Sequence, residues 1–242
     1  MYPVFLIFNS SLASTLLEYR YIRLPYAFDK AKGQNFSGAL FPWESAFTGV
    51  ECCPTWVNLL FKIDFILLKI FAIQKSHFKK APEGVYEQHI SGDIAIATMQ
   101  YFYATKDKNW LVKFGFPLIS SIAEFWASRV VYNESEQMYD IYNVIPPDED
   151  AGIVNNSVYT NAIAKISIGF GVELYEMFGQ KYTPLWKDII QKMKIPFDQK
   201  LQIHLEYDGY SGTTIKQADV ALLQYPLMVC NLLFPFLTFH FF

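Results

Sequence analysis

The chain has 242 residues, of which 52% are hydrophobic and 18% are charged, so it can bury the core of one large domain. These values exclude an intrinsically disordered protein and a disulfide-stapled mini-protein. The net charge is −3, from 20 basic and 23 acidic residues without a Lys/Arg stripe, so nucleic acid is not an expected partner.

The N-terminal segment and the cysteines bear on the cellular compartment. Residues 1–8 are apolar, but no basic residue precedes them and no small-residue cleavage site follows, so a secretory signal is not predicted. The sequence has three cysteines, Cys52, Cys53 and Cys230. Because their number is odd and two of them are adjacent, no disulfide framework is predicted. These features favour a cytoplasmic location.

Two segments contain much of the hydrophobic sequence. Residues 57–73 are almost wholly apolar, but they carry charged side chains that cost about 2.5–3.5 kcal/mol each at the bilayer centre, which disfavours a membrane span. Residues 220–242 contain no Asp, Glu, Lys or Arg and are long enough to cross a bilayer, although Pro226 and Pro235 disfavour one continuous helix. Hydropathy alone leaves a buried core helix and a lipid-facing helix open for both.

The spacing of apolar residues elsewhere predicts mainly helices. The predicted helices are one ending before Pro25, one beginning near Ser91, 109–131, 157–178, 184–194, and one that begins near Thr214 and carries Lys216 and Gln217. Alternation predicts a strand over 138–144, with no further convincing series of strands. The sequence therefore predicts an all-α domain of paired helices, with functional residues in its loops.

The first two candidate sites lie in loops before predicted helices. Trp43 and Glu44 form a pair suited to a sugar, because an indole stacks on a sugar ring while a carboxylate accepts its hydroxyls; a structural Trp beside a solvated Glu is the alternative. His89, in Glu87-Gln88-His89, could donate to a substrate hydroxyl, or could be an ordinary residue at a helix start. Neither the histidines nor the cysteines have zinc spacing, so no metal site is predicted.

Two acidic loops complete the candidates. In residues 146–150, two prolines precede three carboxylates, and packed like charges raise one another's pKa, which suits Glu149 to act as a general acid. An acidic turn before a helix is the alternative. In residues 206–219, Lys216 and Gln217 offer an ammonium and an amide to a ligand, or form a solvated helix end.

Blocks spread along the chain resemble the catalytic domain of glycoside hydrolase family 65. They are FPWES at 41–45, EQH at 87–89, IAEFWASRV at 122–130, VIPPDE at 144–149, VNNSVYTNAIA at 154–164 and EYDGYSGTTIKQADVALLQYPL at 206–227. The resemblance implies an (α/α)6 barrel of the six-hairpin glycosidase type and an inverting α-glucosidase that releases glucose from glucosyl-galactosyl-hydroxylysine units of collagen. It implies a carbohydrate partner and no cofactor.

The resemblance also implies roles for individual residues. Glu149 matches the general acid of the family, while Trp43 with Glu44 and Lys216 with Gln217 match its substrate-binding pairs. His89 lies in a block of the same site. In an inverting reaction a second carboxylate activates water, at about 6.5–9.5 Å from the acid, and the family's base lies beyond the KQADV block. Asp150 departs from the family pattern, in which an aromatic residue follows the acid.

The extent of the resemblance predicts the domain organisation. A partial catalytic domain covers residues 9–227, a hydrophobic insert unrelated to the family interrupts it at about 55–80, and an unrelated hydrophobic tail covers 228–242. The family's β-sandwich domain is not expected ahead of residue 16, and the barrel is expected to be incomplete. The alternatives are a trehalase or disaccharide phosphorylase of the same family, an inactive carbohydrate-binding fragment, and a membrane protein.

Overall fold

The computed structural model of the protein describes residues 10–53 and 81–229. This part is mostly helical, as predicted. The predicted insert at about 55–80 and residues 230–242 of the predicted tail lie outside the described residues. The helices are α1 (Ser10–Ile22), α2 (Leu24–Gly33), α3 (Glu83–Tyr86), α4 (Ile90–Thr105), α5 (Lys108–Trp110), α6 (Phe116–Arg129), α7 (Val158–Met177), α8 (Pro184–Lys192) and α9 (Asp219–Leu222).

A helix ends before Pro25, as predicted, but Pro25 itself lies in the first turn of another helix. Helix α1 stops at Ile22, and α2 starts at Leu24 with Pro25 in its first turn. A proline is tolerated there because the first helical N–H groups have no partner within the helix. No helix is predicted from the sequence directly after Pro25, so α2 is an addition of the structure.

The predicted helix over 109–131 forms with an irregularity. Between α5 and α6 the chain makes a π-helical turn over Leu111–Gly115, in which the N–H of Phe116 bonds to the carbonyl of Leu111. Pro117 follows at once and has no N–H to continue the regular pattern, which is a recognised cause of such irregular turns. The helix then ends at Arg129.

The core forms around α4 and α7. Helix α7 packs against α4, α6 and α8, and α4 is buried on opposite faces, as its two apolar sides predict. The two central helices approach closely at Gly92, where an added Cβ would lie 2.6 Å from Ile163 Cγ2. Side chains with little or no exposure at this centre include Ile94, Ile122, Phe125, Trp126, Ile163 and Ile168.

Two small antiparallel hairpins complete the described part. Strand β1 (Val131–Asn133) pairs with β2 (Met138–Asp140), and β3 (Phe197–Asp198) pairs with β4 (Ile203–His204). The predicted strand over 138–144 is therefore confirmed only in its first three residues. Its continuation turns inward, because the side chain of Asn156 accepts the N–H of Ile141 at 2.9 Å.

The prediction of a helix that begins near Thr214 is wrong. Lys216 and Gln217 lie in a loop, and α9 begins only at Asp219. The N–H of Lys216 donates to Asp148 Oδ1 at 3.1 Å, and Ala218 is extended, so contacts with a distant loop override the local preference. None of the helices in residues 10–53 and 81–229 is long and apolar enough to span a membrane.

Candidate active site

Glu149 and Lys216 form a direct contact between two loops far apart in sequence. Glu149 opens a 3-10 turn, Glu149–Ala151, after the two prolines, and its Oε2 lies 2.8 Å from Lys216 Nζ. The Glu149 side chain is 34% exposed and that of Lys216 is 52% exposed, so both reach solvent and any ligand. The hydrogen bond and charge of Glu149 raise the pKa of Lys216, and Gln217 is exposed next to it.

The environment of Glu149 differs from the expected cluster of like charges. Its direct partner is the ammonium of Lys216, and the charge of the exposed Asp150 also acts on Lys216. Asp148 is buried, and its carboxylate is engaged by the N–H of Lys216. A like charge does lie nearby, because the charge of Glu149 adds to burial in raising the pKa of Glu87.

Beneath this pair, three buried carboxylates bind backbone N–H groups in succession, and we call Glu206, Asp219 and Asp148 the carboxylate chain. Glu206 accepts the N–H of Val220 at 3.1 Å and also that of Asp219, at the start of α9. Asp219 Oδ2 accepts the N–H of Asp148 at 3.2 Å. Asp148 Oδ1 then accepts the N–H of Lys216 at 3.1 Å. The carboxylate chain thus joins the loop of Glu149 to the loop of Lys216.

The carboxylate chain is electrostatically costly. Asp219 has no exposed surface, and burial, together with the charges of Glu206 and Asp148, raises its pKa to about 7. Burial is also the main cause that raises the pKa of Glu206. A pKa near neutrality means that the ionised form of Asp219 is not strongly favoured over the protonated form at pH 7.

His89 is buried at the start of α4 between two carboxylates. Its Nδ1 lies 3.0 Å from Asp93 Oδ2, and its Nε2 lies 3.7 Å from Glu87 Oε1. Burial acts to lower the pKa of His89, but the hydrogen bond and charge of Asp93, together with the charge of Glu87, outweigh it and raise the pKa to about 9. Tyr159, on α7, donates to Asp93 Oδ1 at 2.6 Å. The imidazolium is therefore the favoured form at neutral pH.

The block that contains His89 lies close to both acidic loops. The charge of Glu149 acts on Glu87, and the charge of His89 acts on Asp219. Glu87 Oε2 and His89 Nε2 are buried and have no hydrogen-bond partner among the described residues. An acceptor and a donor at this position suit the hydroxyl groups of a sugar, which both donate and accept.

The buried guanidinium of Arg129 binds the Glu87-Gln88-His89 segment through the side chain of Gln88. Arg129 Nε donates to Gln88 Oε1 at 2.6 Å, and the guanidinium also donates to the carbonyl of Tyr142. Gln88 Nε2 in turn donates to Gln34 Oε1 at 3.1 Å. Burial lowers the pKa of Arg129 to about 10, so the group remains a cation at neutral pH.

Trp43 and Glu44 lie in a loop that a different carboxylate shapes. Their backbone N–H groups donate to Glu51 Oε2 at 2.9 Å and Oε1 at 3.2 Å, and Lys30 Nζ pairs with Glu51 at 2.7 Å. The loop reaches the His89 region, because the N–H of Phe41 donates to the hydroxyl of Ser91 at 2.9 Å. Within the described part, no hydrogen bond joins the Trp43 or Glu44 side chain to Glu149 or Lys216.

Two buried members of the site, Asp148 and Asp219, are not predicted from the sequence. Each lies within three residues of a predicted site residue, Glu149 or Lys216. A signal was available, because these acidic residues fall in blocks with few basic neighbours, and an acidic residue can serve a backbone N–H as well as a ligand. Over residues 10–53 and 81–229 there is no group of three His, Cys, Asp or Glu that could hold a metal ion.

Comparison with known proteins gives a consistent result. Residues 1–225 match the glycosyl hydrolase family 65 central catalytic domain. The protein-glucosylgalactosylhydroxylysine glucosidase of Dictyostelium discoideum is 44% identical over 235 residues, covering 94% of this chain and 30% of that protein. The kojibiose hydrolase of Flavobacterium johnsoniae is 37% identical over 227 residues, covering 94% of this chain and 30% of that protein.

A solved structure shows the fold. A putative kojibiose phosphorylase from human microbiome matches with a TM-score of 0.67 at 24% sequence identity, covering 86% of this chain and 29% of that chain. The chain thus spans about 30% of the length of the curated relatives it matches.

Proposed function

The chain belongs to glycosyl hydrolase family 65, and on that premise we propose that it contributes to an inverting α-glucosidase that releases glucose from glucosyl-galactosyl-hydroxylysine units of collagen. The described helices would form part of an (α/α)6 barrel, within a partial catalytic domain over residues 9–227. The observation that carries the proposal is the contact of Glu149 with Lys216 at an exposed position above buried carboxylates. The glucosyl-galactosyl-hydroxylysine substrate is favoured because the relative that is 44% identical to this chain is named a protein-glucosylgalactosylhydroxylysine glucosidase.

Glu149 is the proposed general acid. Its carboxyl is exposed enough to meet a glycosidic oxygen, and the short turn after two prolines limits the directions it can take. On substrate binding, Lys216 would turn from Glu149 to a sugar hydroxyl, which leaves the carboxyl free to take up and donate a proton. Water would attack the opposite face of the sugar, activated by a second carboxylate.

The other predicted residues have binding roles in this proposal. Gln217 would bind sugar hydroxyls next to Lys216, and His89 would donate from its unpartnered Nε2. Trp43 would stack on a sugar ring, with Glu44 accepting from its hydroxyls. These two would approach from the loop that reaches Ser91, at the start of α4.

A conservative substitution tests the role of Glu149. Replacing a general acid by an amide removes the proton but keeps the shape, so Glu149→Gln should lower kcat for glucose release by about 10²–10⁴-fold. Glu134→Gln, which makes the same change at an exposed carboxylate in the β1–β2 turn, is the matched control and should stay within about threefold. Unchanged glucose release by Glu149→Gln in an active preparation would contradict the assignment.

The kojibiose-acting relatives support a second candidate, a disaccharide hydrolase or phosphorylase. The kojibiose hydrolase of Flavobacterium johnsoniae is 37% identical to the chain, and a kojibiose phosphorylase of Thermoanaerobacter brockii is 34% identical. Glucose release from glucosyl-galactosyl-hydroxylysine and from kojibiose should be compared with and without phosphate. Glucose 1-phosphate formed only with phosphate would select a phosphorylase, and binding without release would select a carbohydrate-binding fragment.

A further inference from the structure

We propose that Asp148 and Asp219 are positioning residues that hold Glu149 and Lys216 at their contact distance by fixing the backbone of both loops. The inference rests on the proposed function, because it gives these two residues a purpose only if Glu149 and Lys216 act on a sugar.

The carboxylate chain binds backbone at both members of the pair. Asp148 immediately precedes Glu149, and its N–H donates to Asp219 Oδ2 at 3.2 Å, so Asp219 anchors the backbone one residue before the acid. The side chain of the same Asp148 accepts the N–H of Lys216 at 3.1 Å. Glu149 and Lys216 are therefore both held through Asp148, although 66 residues lie between them in the sequence.

The contact of Glu149 with Lys216 would not hold itself. Both side chains are partly exposed, and an exposed ion pair is a weak constraint because two long side chains lose conformational entropy on meeting. A contact of 2.8 Å between such groups requires their backbones to be held in register by something else. The carboxylate chain supplies that constraint, since Asp148 is 2% exposed and Asp219 has no exposed surface.

The partners of the buried carboxylates indicate what they do. Buried carboxylates are costly unless hydrogen-bonded, and the usual partner is a Lys or Arg side chain. In the carboxylate chain the donors are main-chain N–H groups at residues 148, 216, 219 and 220. A carboxylate bound in this way fixes where a loop runs rather than neutralising a charge.

Two substitutions at Asp219 separate position from charge. Asp219→Asn keeps an amide oxygen that can accept the N–H of Asp148, whereas Asp219→Ala removes the acceptor. Asp198→Ala is the matched control: Asp198 also accepts backbone N–H groups, those of Lys200 and Leu201, but in the β3–β4 hairpin. All variants are made in the full chain, and circular dichroism confirms folding.

The first measurement is the affinity for 1-deoxynojirimycin, a cationic glucose analogue, by isothermal titration calorimetry. Loss of one hydrogen bond that positions a binding group should weaken binding by about five- to tenfold in Asp219→Ala. Asp219→Asn and Asp198→Ala should stay within about twofold. In a Lys216→Ala background the loss caused by Asp219→Ala should become smaller, because Lys216 is one of the two residues held through Asp148.

Several results would overturn the proposal. Equal losses of affinity in Asp219→Ala and Asp219→Asn would assign the effect to charge. Unchanged affinity in Asp219→Ala would show that Asp219 has no positioning role. An undiminished loss of affinity in the Lys216→Ala background would show that Asp219 acts independently of Lys216. If Asp219→Ala does not fold, Asp148→Ala makes the same comparison, because it removes the acceptor for the N–H of Lys216. Asp148→Asn keeps an acceptor there and serves as its rescue.

A second measurement keeps the test separate from the proposed function. If the unmodified chain binds no sugar analogue, the proposed function fails, and amide hydrogen exchange by NMR then decides the positioning role. Faster exchange at the N–H groups of Asp148 and Lys216 in Asp219→Ala, but not in Asp219→Asn or Asp198→Ala, supports it. Unchanged exchange at these two groups overturns it.

Discussion

The stability of the protein should fall as the pH rises from 5 to 8, and Asp219→Asn should remove part of that fall. The folded-state pKa of Asp219 is about 7, against an ordinary value of 3.8. Because the folded pKa is the higher one, the folded state keeps a proton that the unfolded chain has released. This contribution is complete below the ordinary pKa and is lost as the pH rises through 7.

The size of the effect follows from the two pKa values. Between pH 5 and pH 8 the contribution of Asp219 to the free energy of unfolding should fall by about 2.5 kcal/mol, at 1.36 kcal/mol for each unit of pKa difference. Asp219 is fully buried, so no discount for solvent screening applies. His89 acts in the same direction, because its pKa of about 9 lies above the ordinary 6.5 and its contribution is lost as the pH rises through 9.

Urea unfolding at pH 5 and pH 8 measures the effect. The difference in free energy of unfolding between Asp219→Asn and the unmodified chain should shift in favour of the variant by about 2.5 kcal/mol from the lower to the higher pH. Asp198→Asn, a carboxylate in the β3–β4 hairpin, controls for the loss of a charge. A difference for Asp219→Asn that stays constant across this range would refute the reasoning, since it would mean that Asp219 titrates alike in both states.

Two further predictions concern packing and helix capping. Gly92→Ala should cost about 1–3 kcal/mol of stability, because the new Cβ would lie 2.6 Å from Ile163 Cγ2; thermal unfolding should show Gly169→Ala, also helical but with nothing within 4 Å, to be neutral or stabilising. Ser157→Ala should cost about 1 kcal/mol by removing the N-cap of α7, because the Ser157 hydroxyl accepts the N–H of Thr160. Ser157→Thr, which keeps the hydroxyl acceptor and adds no charge at this fully buried position, should recover part of that stability in urea unfolding.

Helices with local signals at their ends were predicted well. The cap at Ser157 and the pair Thr183-Pro184 begin α7 and α8, as predicted, because a side-chain acceptor and a proline act within one turn of the chain. The helix after Pro25 was missed because a proline has two local meanings, the end of one helix or the first turn of the next. The (α/α)6 arrangement came from the family resemblance and not from periodicity.

The candidate site was predictable in part. The sequence pointed to Glu149 and Lys216, and the structure places their side chains in contact, while their chemical roles remain predictions. The loop that carries Lys216 was wrongly predicted as a helix, because its backbone donor bonds to Asp148, 68 residues earlier. Neither helix propensity nor local capping contains that information.

The acidic blocks of the site share one arrangement that explains why they are rich in carboxylates. In each, an exposed residue suited to a ligand lies beside a buried carboxylate: Glu149 next to Asp148, and Lys216 three residues before Asp219. The exposed member can turn toward a substrate only if its backbone stays in place, and the buried member bonds to the backbone of the other loop. The two blocks therefore depend on each other, so a substitution at a buried carboxylate should disturb the exposed residues of both loops.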